Sequence, residues 1–331
     1  MIRRSIGFAG AAAVAVLFVP MIAASGQQQE VPAAPPQDVK PSAPAPAAPV
    51  FPKPDPINFT AATPTRETID GFLKASWGYD LDRVWQIQAI LKTPVEGLSK
   101  VVVLVGDKGG KEKPGALQFF ALPGGQYIVA GEEVVPFGDH PYASYRAMLQ
   151  QRADGPYRGA AAKDLELVEF ADFQCPHCKD AQASMDRLAV DFPKARIVYQ
   201  NFPLEKVHPA ALRAASYGAC VTKLGGSTAF FQFAGAVFEG QEGLATADGA
   251  TLTLNSAVTK AGLDPAKVSA CAATPETHAE VENSVKLAQD LNVNQTPTLM
   301  VNGRQVPIGG LSYDTLKQIV EYQAKIDGVT Q

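Results

Sequence analysis

A buried strand followed by an amphipathic helix is the clearest pattern of hydrophobic positions in this chain. Residues 167–173 (Leu-Val-Glu-Phe-Ala-Asp-Phe) are apolar apart from two acids, which is typical of a strand buried in a sheet. Apolar residues then recur at helical spacing until Pro193 ends the run, namely Ala181, Met185, Leu188 and Phe192. The two patterns predict a strand-to-helix junction close to residue 175.

Two cysteines lie at this junction, in the sequence Cys175-Pro176-His177-Cys178. Cys175 falls at the predicted helix N-terminus, where free backbone N–H groups and the helix dipole stabilise a thiolate and lower its pKa. We expect His177 to donate a hydrogen bond to that thiolate, which favours the reduced pair and makes the disulfide a strong oxidant. Strand alternation points Glu169 inward beneath the motif, where its carboxyl group can relay the proton of Cys178.

A second segment, far downstream, has the features of a strand that ends in a hairpin. Thr296-Pro297 precede the apolar residues 298–301, and Asn302-Gly303 is typical of a two-residue hairpin turn. Because proline cannot donate a hydrogen bond to a sheet, we expect this strand at a sheet edge.

At these residues the chain resembles the DsbA-like branch of the thioredoxin superfamily, from Leu165 to about Tyr322. In that family the proline is cis and faces the active-site disulfide, and the acid that corresponds to Glu169 serves proton transfer. The segments that carry the resemblance are Val168-Glu169-Phe170, Cys-Pro-His-Cys at 175–178, Asn201-Phe202-Pro203-Leu204 with His208-Pro209, and Thr296-Pro297. The expected catalytic residues are Cys175, Cys178, His177 and Glu169, and the expected substrate contacts are Thr296, Pro297 and Pro176. We expect His208 to be a helix-start or interdomain residue rather than a catalyst.

The resemblance implies an α/β protein with a thioredoxin fold, which we expect to introduce disulfides into secreted proteins as a thiol:disulfide oxidoreductase. The expected partners are reduced or unfolded secreted proteins and a separate redox protein that recycles the cysteine pair. No organic cofactor or metal is implied. Two other functions stay open. One is a disulfide isomerase or reductase that acts as a homodimer, and the other is a non-catalytic chaperone or thiol–metal carrier.

Metal binding and a purely structural disulfide are the alternatives for the cysteine pair. A structural zinc site needs four ligands, usually from two close pairs, whereas Cys220 and Cys271 are isolated in the sequence. A structural disulfide in so short a ring would be strained and readily reduced. Copper(I) suits two thiolates, but no Met or His cluster accompanies them. Redox chemistry is therefore the favoured interpretation.

The N-terminus predicts export. Arg3 and Arg4 precede an apolar stretch at residues 6–19, and small residues near position 25 suit cleavage, so residues 1–26 are predicted to be a signal peptide. If uncleaved, the segment would tether the protein to the membrane. Its removal takes the net charge from −4 to −6, which gives no electrostatic case for nucleic acid binding. The expected location is periplasmic or otherwise extracytoplasmic.

Residues 27–62 are rich in Pro and Ala and predict an extended linker. A small α+β domain is predicted at 63–150, with Thr63 as the N-cap and Pro64 as the first residue of its helix. Its segments 93–98 and 127–131 resemble the dimerisation domain of DsbC-type isomerases, which implies a homodimer. The alternative is a domain with no role in dimerisation.

A second linker at 151–163 and the thioredoxin-like domain at 164–331 are predicted to follow. The chain between its two halves is longer than a simple crossover needs, and the surplus predicts a helical insertion at about 206–290. Both remaining cysteines, Cys220 and Cys271, fall in this insertion. Some DsbA-like proteins join two insertion helices by a disulfide, and export allows oxidation, so we expect a structural disulfide here. Two buried free thiols are the alternative.

Overall fold

The computed structural model describes residues 51–110 and 113–329. The predicted signal peptide and residues 27–50 of the predicted linker lie outside the described residues. Within the described part of the chain, no helix combines the length and the apolar character that crossing a membrane requires.

The N-terminal domain consists of one helix, α1 (Arg66–Trp77), packed on one face of a five-stranded antiparallel sheet. Buried residues of the sheet, such as Val101 and Phe119, contact Ile69 and Leu73 of the helix. The strands follow one another in space as in sequence: β1 (Arg83–Lys92), β2 (Ser99–Asp107), β3 (Gly115–Ala121), β4 (Tyr127–Ala130) and β5 (Glu133–Pro136). The predicted α+β character is confirmed.

The start of α1 differs from the prediction. The Thr63–Pro64 peptide is cis, and the helix begins only at Arg66. The Thr65 hydroxyl accepts the backbone N–H of Thr68 at 3.2 Å, so Thr65 rather than Thr63 is the N-cap. In β1 a bulge between Ile87 and Ala89 shifts the register with β2.

The second domain is built on a five-stranded mixed sheet with the strand order β10-β9-β7-β8-β6. Parallel strands β7 and β8 lie at its centre, and the other neighbouring pairs are antiparallel. The strands are β6 (Tyr157–Gly159), β7 (Glu166–Ala171), β8 (Arg196–Asn201), β9 (Thr298–Val301) and β10 (Arg304–Pro307). The helices are α2 (Ala143–Arg152), α3 (Pro176–Asp191), α4 (Ala211–Glu239), α5 (Ala247–Lys260), α6 (Pro265–Ala272), α7 (Pro275–Asp290) and α8 (Tyr313–Ile326).

Helices cover both faces of this sheet. On one face, apolar residues of α3 and α8 pack against Leu167, Ile197 and Leu299. On the other, residues of α2 and α7 pack against Val168 and Phe170. Alternate residues of β7 therefore point to different helices, and this arrangement decides which of its acids lies beneath the cysteine pair.

Two segments outside the predicted thioredoxin-like domain are part of its packing. Leu149 of α2 lies in the core with Val168, although the predicted N-terminal domain extended to residue 150. Strand β6 pairs with β8, although residues 151–163 were predicted to be a linker. A strand of three residues is too short to give a periodic signal, so its place in the sheet comes from its partner strand.

The hairpin after Pro297 corrects another prediction. Asn302 and Gly303 have φ values of 46° and 89°, the positive angles that a tight hairpin turn requires. However, β9 lies between β10 and β7, so the expected edge position of residues 298–301 is wrong and β10 is the edge strand. Pro297 precedes β9, and its missing N–H therefore removes no hydrogen bond from the ladder.

The helical insertion contains α4, α5 and α6 and leads into α7. Gly226 adopts φ 74° and ψ −175° and divides α4 into two helical segments. Aromatic residues of α4 reach the active-site strand, because Phe173 contacts Phe230, Phe233 and Phe238 with ring centroids 5.4–6.1 Å apart. The insertion thus shares one core with the end of β7.

A disulfide joins Cys220 of α4 to Cys271 of α6, with Cα atoms 5.9 Å apart. Both helices pack against each other at this point, and Cys220 is fully buried. The Thr277 hydroxyl at the start of α7 lies 3.4 Å from the Cys220 sulfur. The bond therefore links α4 to α6 next to the start of α7.

The N-terminal domain contacts the second domain through the C-terminal end of α1. Arg304 of β10, which is 6% exposed, donates hydrogen bonds to the carbonyls of Ala75 (2.9 Å) and Ser76. The Tyr322 hydroxyl donates to the Lys74 carbonyl at 2.6 Å. A cation at the negative end of a helix dipole is stabilising, so these contacts orient α1 on the edge of the second sheet.

We predict that the insertion depends on its disulfide for much of its stability. Replacing both Cys220 and Cys271 by Ala should lower the free energy of unfolding by about 4 kcal/mol, as loop-closure entropy gives for about fifty residues. Denaturant unfolding of the two proteins measures the difference. Non-reduced peptide mapping is the control, and alkylation of both cysteines in denatured, unreduced wild-type protein would show that the bond is absent.

Candidate functional site

The cysteine pair lies where β7 gives way to α3. Cys175 is the N-cap of α3 and Pro176 its first residue, a position that suits proline because the N–H there has no helical partner. Strand β7 is buried along its whole length, which fixes the position of the turn that follows it. The strand-to-helix junction expected from the sequence is therefore present.

Hydrogen bonds stabilise the thiolate form of Cys175. They lower its pKa from 9.0 to about 5; the largest contribution is a bond from the Cys178 thiol, and the Thr296 side chain and the backbone N–H groups of Cys178 and His177 contribute further. The sulfur lies 3.6 Å from the Thr296 carbonyl oxygen, and Cys175 is only 5% exposed. His177 contributes through its backbone N–H, and its side chain is exposed. The predicted hydrogen bond from its imidazole ring to Cys175 is therefore not present.

Cys178 is the opposite case. Its side chain is fully buried, and burial raises the pKa of its thiol, as do its hydrogen bond to Cys175 and the nearby charge of Glu169. The backbone N–H of Asp172 donates to the Cys178 sulfur at 3.4 Å, which partly offsets these effects. The two neighbouring thiols therefore have very different acidities.

Glu169 lies beneath the pair, as strand alternation predicted. It is 4% exposed, and burial raises its pKa to about 7. Gln182 of α3 donates its amide to Glu169 Oε1 at 3.1 Å and to the Cys178 carbonyl at 3.0 Å. Gln182 thus connects the acid on the strand to the helix that carries both cysteines.

Asp172 organises the loop before Cys175 and was missed as a site residue. Its buried carboxylate accepts the backbone N–H groups of Gln174 (2.7 Å) and Leu204 (2.9 Å), and His208 Nδ1 lies 2.8 Å away. His208 therefore forms a hydrogen bond with the loop before Cys175 and is not simply a helix-start residue. An acid three residues before Cys175, at the end of a buried strand, was the available sequence signal.

The helical insertion also holds the loop. Gln241, which lies in the turn between α4 and α5, donates its side-chain amide to the carbonyls of Phe173 and Cys175, both at 2.9 Å. In the other direction, the side-chain amide of Gln174 donates a hydrogen bond to the Leu244 carbonyl of the same turn at 3.2 Å. No local sequence pattern indicates these contacts, since nearly seventy residues separate the partners.

The loop that contains Pro297 closes the other side of the site. The Thr296–Pro297 peptide is cis, as the resemblance implied. Gly309 lies next to both Pro297 and His177: a Cβ atom on it would be 3.7 Å from Pro297 Cδ and 3.8 Å from His177 Cβ. Pro176, His177 and Gly309 are exposed beside this loop, whereas Pro297 and Cys175 are buried beneath them.

Among the described residues, no group of three or more His, Cys, Asp and Glu side chains is placed to hold a metal ion.

Comparison with known proteins agrees with the fold of the second domain. A sequence model of the thioredoxin family, described as Thioredoxin, matches residues 151–322, which is more than half of the chain. The chain belongs to this family. The start of the match before β6 also agrees with the place of β6 in the second sheet.

Three individual proteins illustrate the similarity. The Na(+)/H(+) antiporter NhaA 3 of Salinispora tropica is 30% identical over 148 residues, which cover 45% of this chain and 22% of the antiporter. The chain thus spans about a fifth of that relative. A thioredoxin-like oxidoreductase from Silicibacter pomeroyi is 26% identical, with a TM-score of 0.45, 54% of this chain covered and 98% of the other. The thiol-disulfide exchange protein alpha-DsbA2 from Wolbachia pipientis is 22% identical, with a TM-score of 0.46 and coverages of 54% and 95%.

We predict that reduced protein carries one thiolate at neutral pH. Ultraviolet thiolate absorbance should titrate with a pKa of about 5, for Cys175 alone. Cys178→Ala should raise this pKa because it removes the largest stabilising hydrogen bond. His177→Ala is the matched control and should leave it nearly unchanged, because the backbone N–H remains. A wild-type value near that of free cysteine, about 8.5, would contradict the assignment.

Proposed function

We propose that this protein is an exported thiol:disulfide oxidoreductase that introduces disulfides into secreted proteins through Cys175 and Cys178. The observation that carries the proposal is the difference in acidity between the two thiols. Cys175 is a thiolate at neutral pH, whereas burial keeps Cys178 protonated. A stabilised thiolate is a good leaving group in thiol–disulfide exchange and favours the reduced pair, which makes the disulfide oxidising.

The oxidised protein reacts in two steps. A substrate thiolate attacks the Cys175 sulfur, a mixed disulfide forms, and the Cys175–Cys178 bond breaks with its electron pair on Cys178. A second substrate thiolate then attacks the substrate sulfur of the mixed disulfide and releases Cys175 as a thiolate. The substrate loses two electrons, which the cysteine pair gains. The reaction passes electrons only between sulfur atoms, so it requires no organic cofactor and no metal.

Glu169 is the group that we assign to proton transfer at Cys178. With a pKa of about 7, the acid is present in both its neutral and its ionised form near neutral pH. The neutral form donates a proton when Cys178 leaves, and the carboxylate accepts it in the reverse direction. The hydrogen bond from Gln182 fixes the position of the carboxyl group for both directions of proton transfer.

The substrate lies, in this proposal, along the surface formed by Pro176, Thr296 and Pro297. Pro297 has no backbone N–H that could compete for the Cys175 sulfur, and the Thr296 carbonyl lies beside that sulfur. An extended substrate segment can therefore place its own cysteine against Cys175. Because these contacts involve mainly backbone, the protein would accept many reduced or unfolded substrates.

Two further parts of the proposal concern the surroundings of the reaction. The Cys220–Cys271 disulfide is typical of an oxidising compartment and supports a periplasmic or other extracytoplasmic location, with a tether if the signal peptide stays uncleaved. After each cycle the pair is reduced, so a separate redox partner must reoxidise it.

A homodimeric isomerase or reductase is the second candidate. The face of the N-terminal sheet opposite α1 exposes Phe120, Tyr127 and Val134 by 39%, 43% and 51%. Cross-strand pairing places Phe120, Val129 and Val134 in one row across β3, β4 and β5. An apolar surface of this kind favours association, and light scattering distinguishes a dimer from a monomer.

We predict that the oxidised protein converts a reduced, unfolded two-cysteine substrate to its disulfide form and is itself reduced in equal amount. Mass spectrometry after acid quenching and alkylation counts both changes. Cys175→Ala should abolish the reaction, because the attacked sulfur is absent. If the wild-type protein is a dimer that leaves the substrate reduced but rearranges non-native disulfides in a substrate, the isomerase function is supported instead. If Cys175→Ala still suppresses substrate aggregation and the wild type exchanges nothing, the protein is a chaperone.

Glu169→Gln is predicted to slow reduction of the Cys175–Cys178 disulfide by dithiothreitol about 100-fold below pH 7, where neutral Glu169 supplies a proton. After correction for the thiolate fraction of the dithiol, the wild-type rate should fall as pH rises through about 7, and the variant should lack this inflection.

The matched control is Glu166→Gln. Glu166 is a buried acid on the same strand, but it faces the other side of the sheet and lies near Lys163 and Arg196. Its replacement should leave the pH–rate profile as in the wild type. Equal profiles for all three proteins would assign Glu169 a structural role.

A further inference from the structure

Tyr199 has a buried hydroxyl group that no described residue satisfies. The side chain is 2% exposed, and its ring stacks on Phe173 at 5.2 Å between centroids and contacts Phe230 at 5.0 Å. The ring is therefore held firmly by the core of the insertion. Its hydroxyl has no hydrogen-bond partner in the described part of the chain. A buried polar group without a partner costs stability, so its presence calls for an explanation.

Tyr199 lies beside Glu169 in the sheet. Tyr199 of β8 is the register partner of Glu169 on β7, and neighbouring strands are about 4.8 Å apart. Both side chains point to the sheet face that α3 covers. Burial raises the pKa of Tyr199 most, and Cys178, Glu169, Asp172 and Cys175 raise it further when they are ionised. Tyr199 therefore stays protonated and is a hydrogen-bond donor throughout the working pH range.

The reduced pair offers this donor no unoccupied charge. Cys178 is neutral and directs its hydrogen to Cys175, while Glu169 already accepts the amide of Gln182. A new buried negative charge arises only during exchange, when the Cys175–Cys178 bond breaks. The Tyr199 hydroxyl bonds to neither group in the reduced protein, so it can turn to this charge without breaking another hydrogen bond.

We propose that Tyr199 is a catalytic residue whose hydroxyl group donates a hydrogen bond to the negative charge that forms on Cys178 and then passes to Glu169 during thiol–disulfide exchange. This inference rests on the proposed function. A bond forms between the attacking sulfur and Cys175, and the Cys175–Cys178 bond breaks with its electron pair on Cys178. Neutral Glu169 gives its proton to Cys178 and becomes a carboxylate, which is reprotonated from water. Tyr199 donates a hydrogen bond first to the Cys178 thiolate and then to the Glu169 carboxylate, and it keeps its own proton.

Tyr199→Phe tests the proposal, because it removes only the hydroxyl group and keeps the ring contacts with Phe173 and Phe230. Reduction of the oxidised protein by dithiothreitol, stopped by acid and counted by alkylation, should slow at least about tenfold, in line with the loss of one buried donor. The inflection assigned to Glu169 should also move to higher pH, since its carboxylate loses a donor. The unfolding midpoint should be unchanged or higher, because the hydroxyl had no partner to lose.

The matched control is Tyr217→Phe. Tyr217 is equally buried in the same apolar cluster, but its hydroxyl donates to Asn255 at 3.5 Å. This variant should keep the wild-type rate and inflection. In a Glu169→Gln background, Tyr199→Phe should have a smaller effect than in the wild type, because one of the two anions no longer forms.

If Tyr199→Phe keeps the wild-type reduction rate and pH inflection, the proposal is overturned. If its unfolding midpoint is also lower than that of the wild type, the hydroxyl group has a structural role. The assay uses a small dithiol, so it reports on the cysteine pair whether or not the protein oxidises a substrate. If the wild-type protein fails to oxidise the two-cysteine substrate, the proposed function fails while this test still decides the role of Tyr199.

Discussion

The hydrogen bond from the Cys178 thiol to the Cys175 thiolate is the interaction on which the proposed chemistry depends. One proton is shared by two sulfurs, and the environment decides which sulfur releases it. Cys175 has helix N–H groups and Thr296 around it, whereas Cys178 is enclosed by apolar residues with Glu169 nearby. At pH 7 a thiol with a pKa of about 5 has about 100 times more thiolate than thiol. For a two-electron couple, a factor of 100 corresponds to about 60 mV in reduction potential.

The fold maintains this difference in acidity through contacts from several elements to the short loop before Cys175. Asp172 binds the loop from the end of β7, Gln241 binds it from the insertion, and the cis Pro297 closes the side next to Cys175. The insertion also supplies the apolar surroundings that keep Cys178 dry. The helical insertion is therefore part of the proposed redox site.

Local patterns carried the prediction of the site's centre. The apolar run before Cys175 and the helical spacing after it placed the pair at a helix start, and alternation placed Glu169 beneath it. The contacts of Asp172, Gln241 and Tyr199 could not be predicted, because each joins segments whose proximity depends on the packed sheet and insertion. The same reason explains β6, which is too short to give a signal and is defined by its partner β8. His177 was assigned a side-chain role, yet its backbone N–H acts on Cys175, because a residue in the first helical turn presents its free N–H to the cap.

The reduction potential of the Cys175–Cys178 couple tests the central claim most directly, because it measures how far the reduced pair is stabilised over the disulfide. Equilibration in glutathione buffers, followed by acid quenching and mass analysis of alkylated protein, gives this value. The stabilised Cys175 thiolate predicts a potential above about −200 mV, in the range of oxidising proteins. A potential near or below about −270 mV, as in thioredoxin, would contradict it.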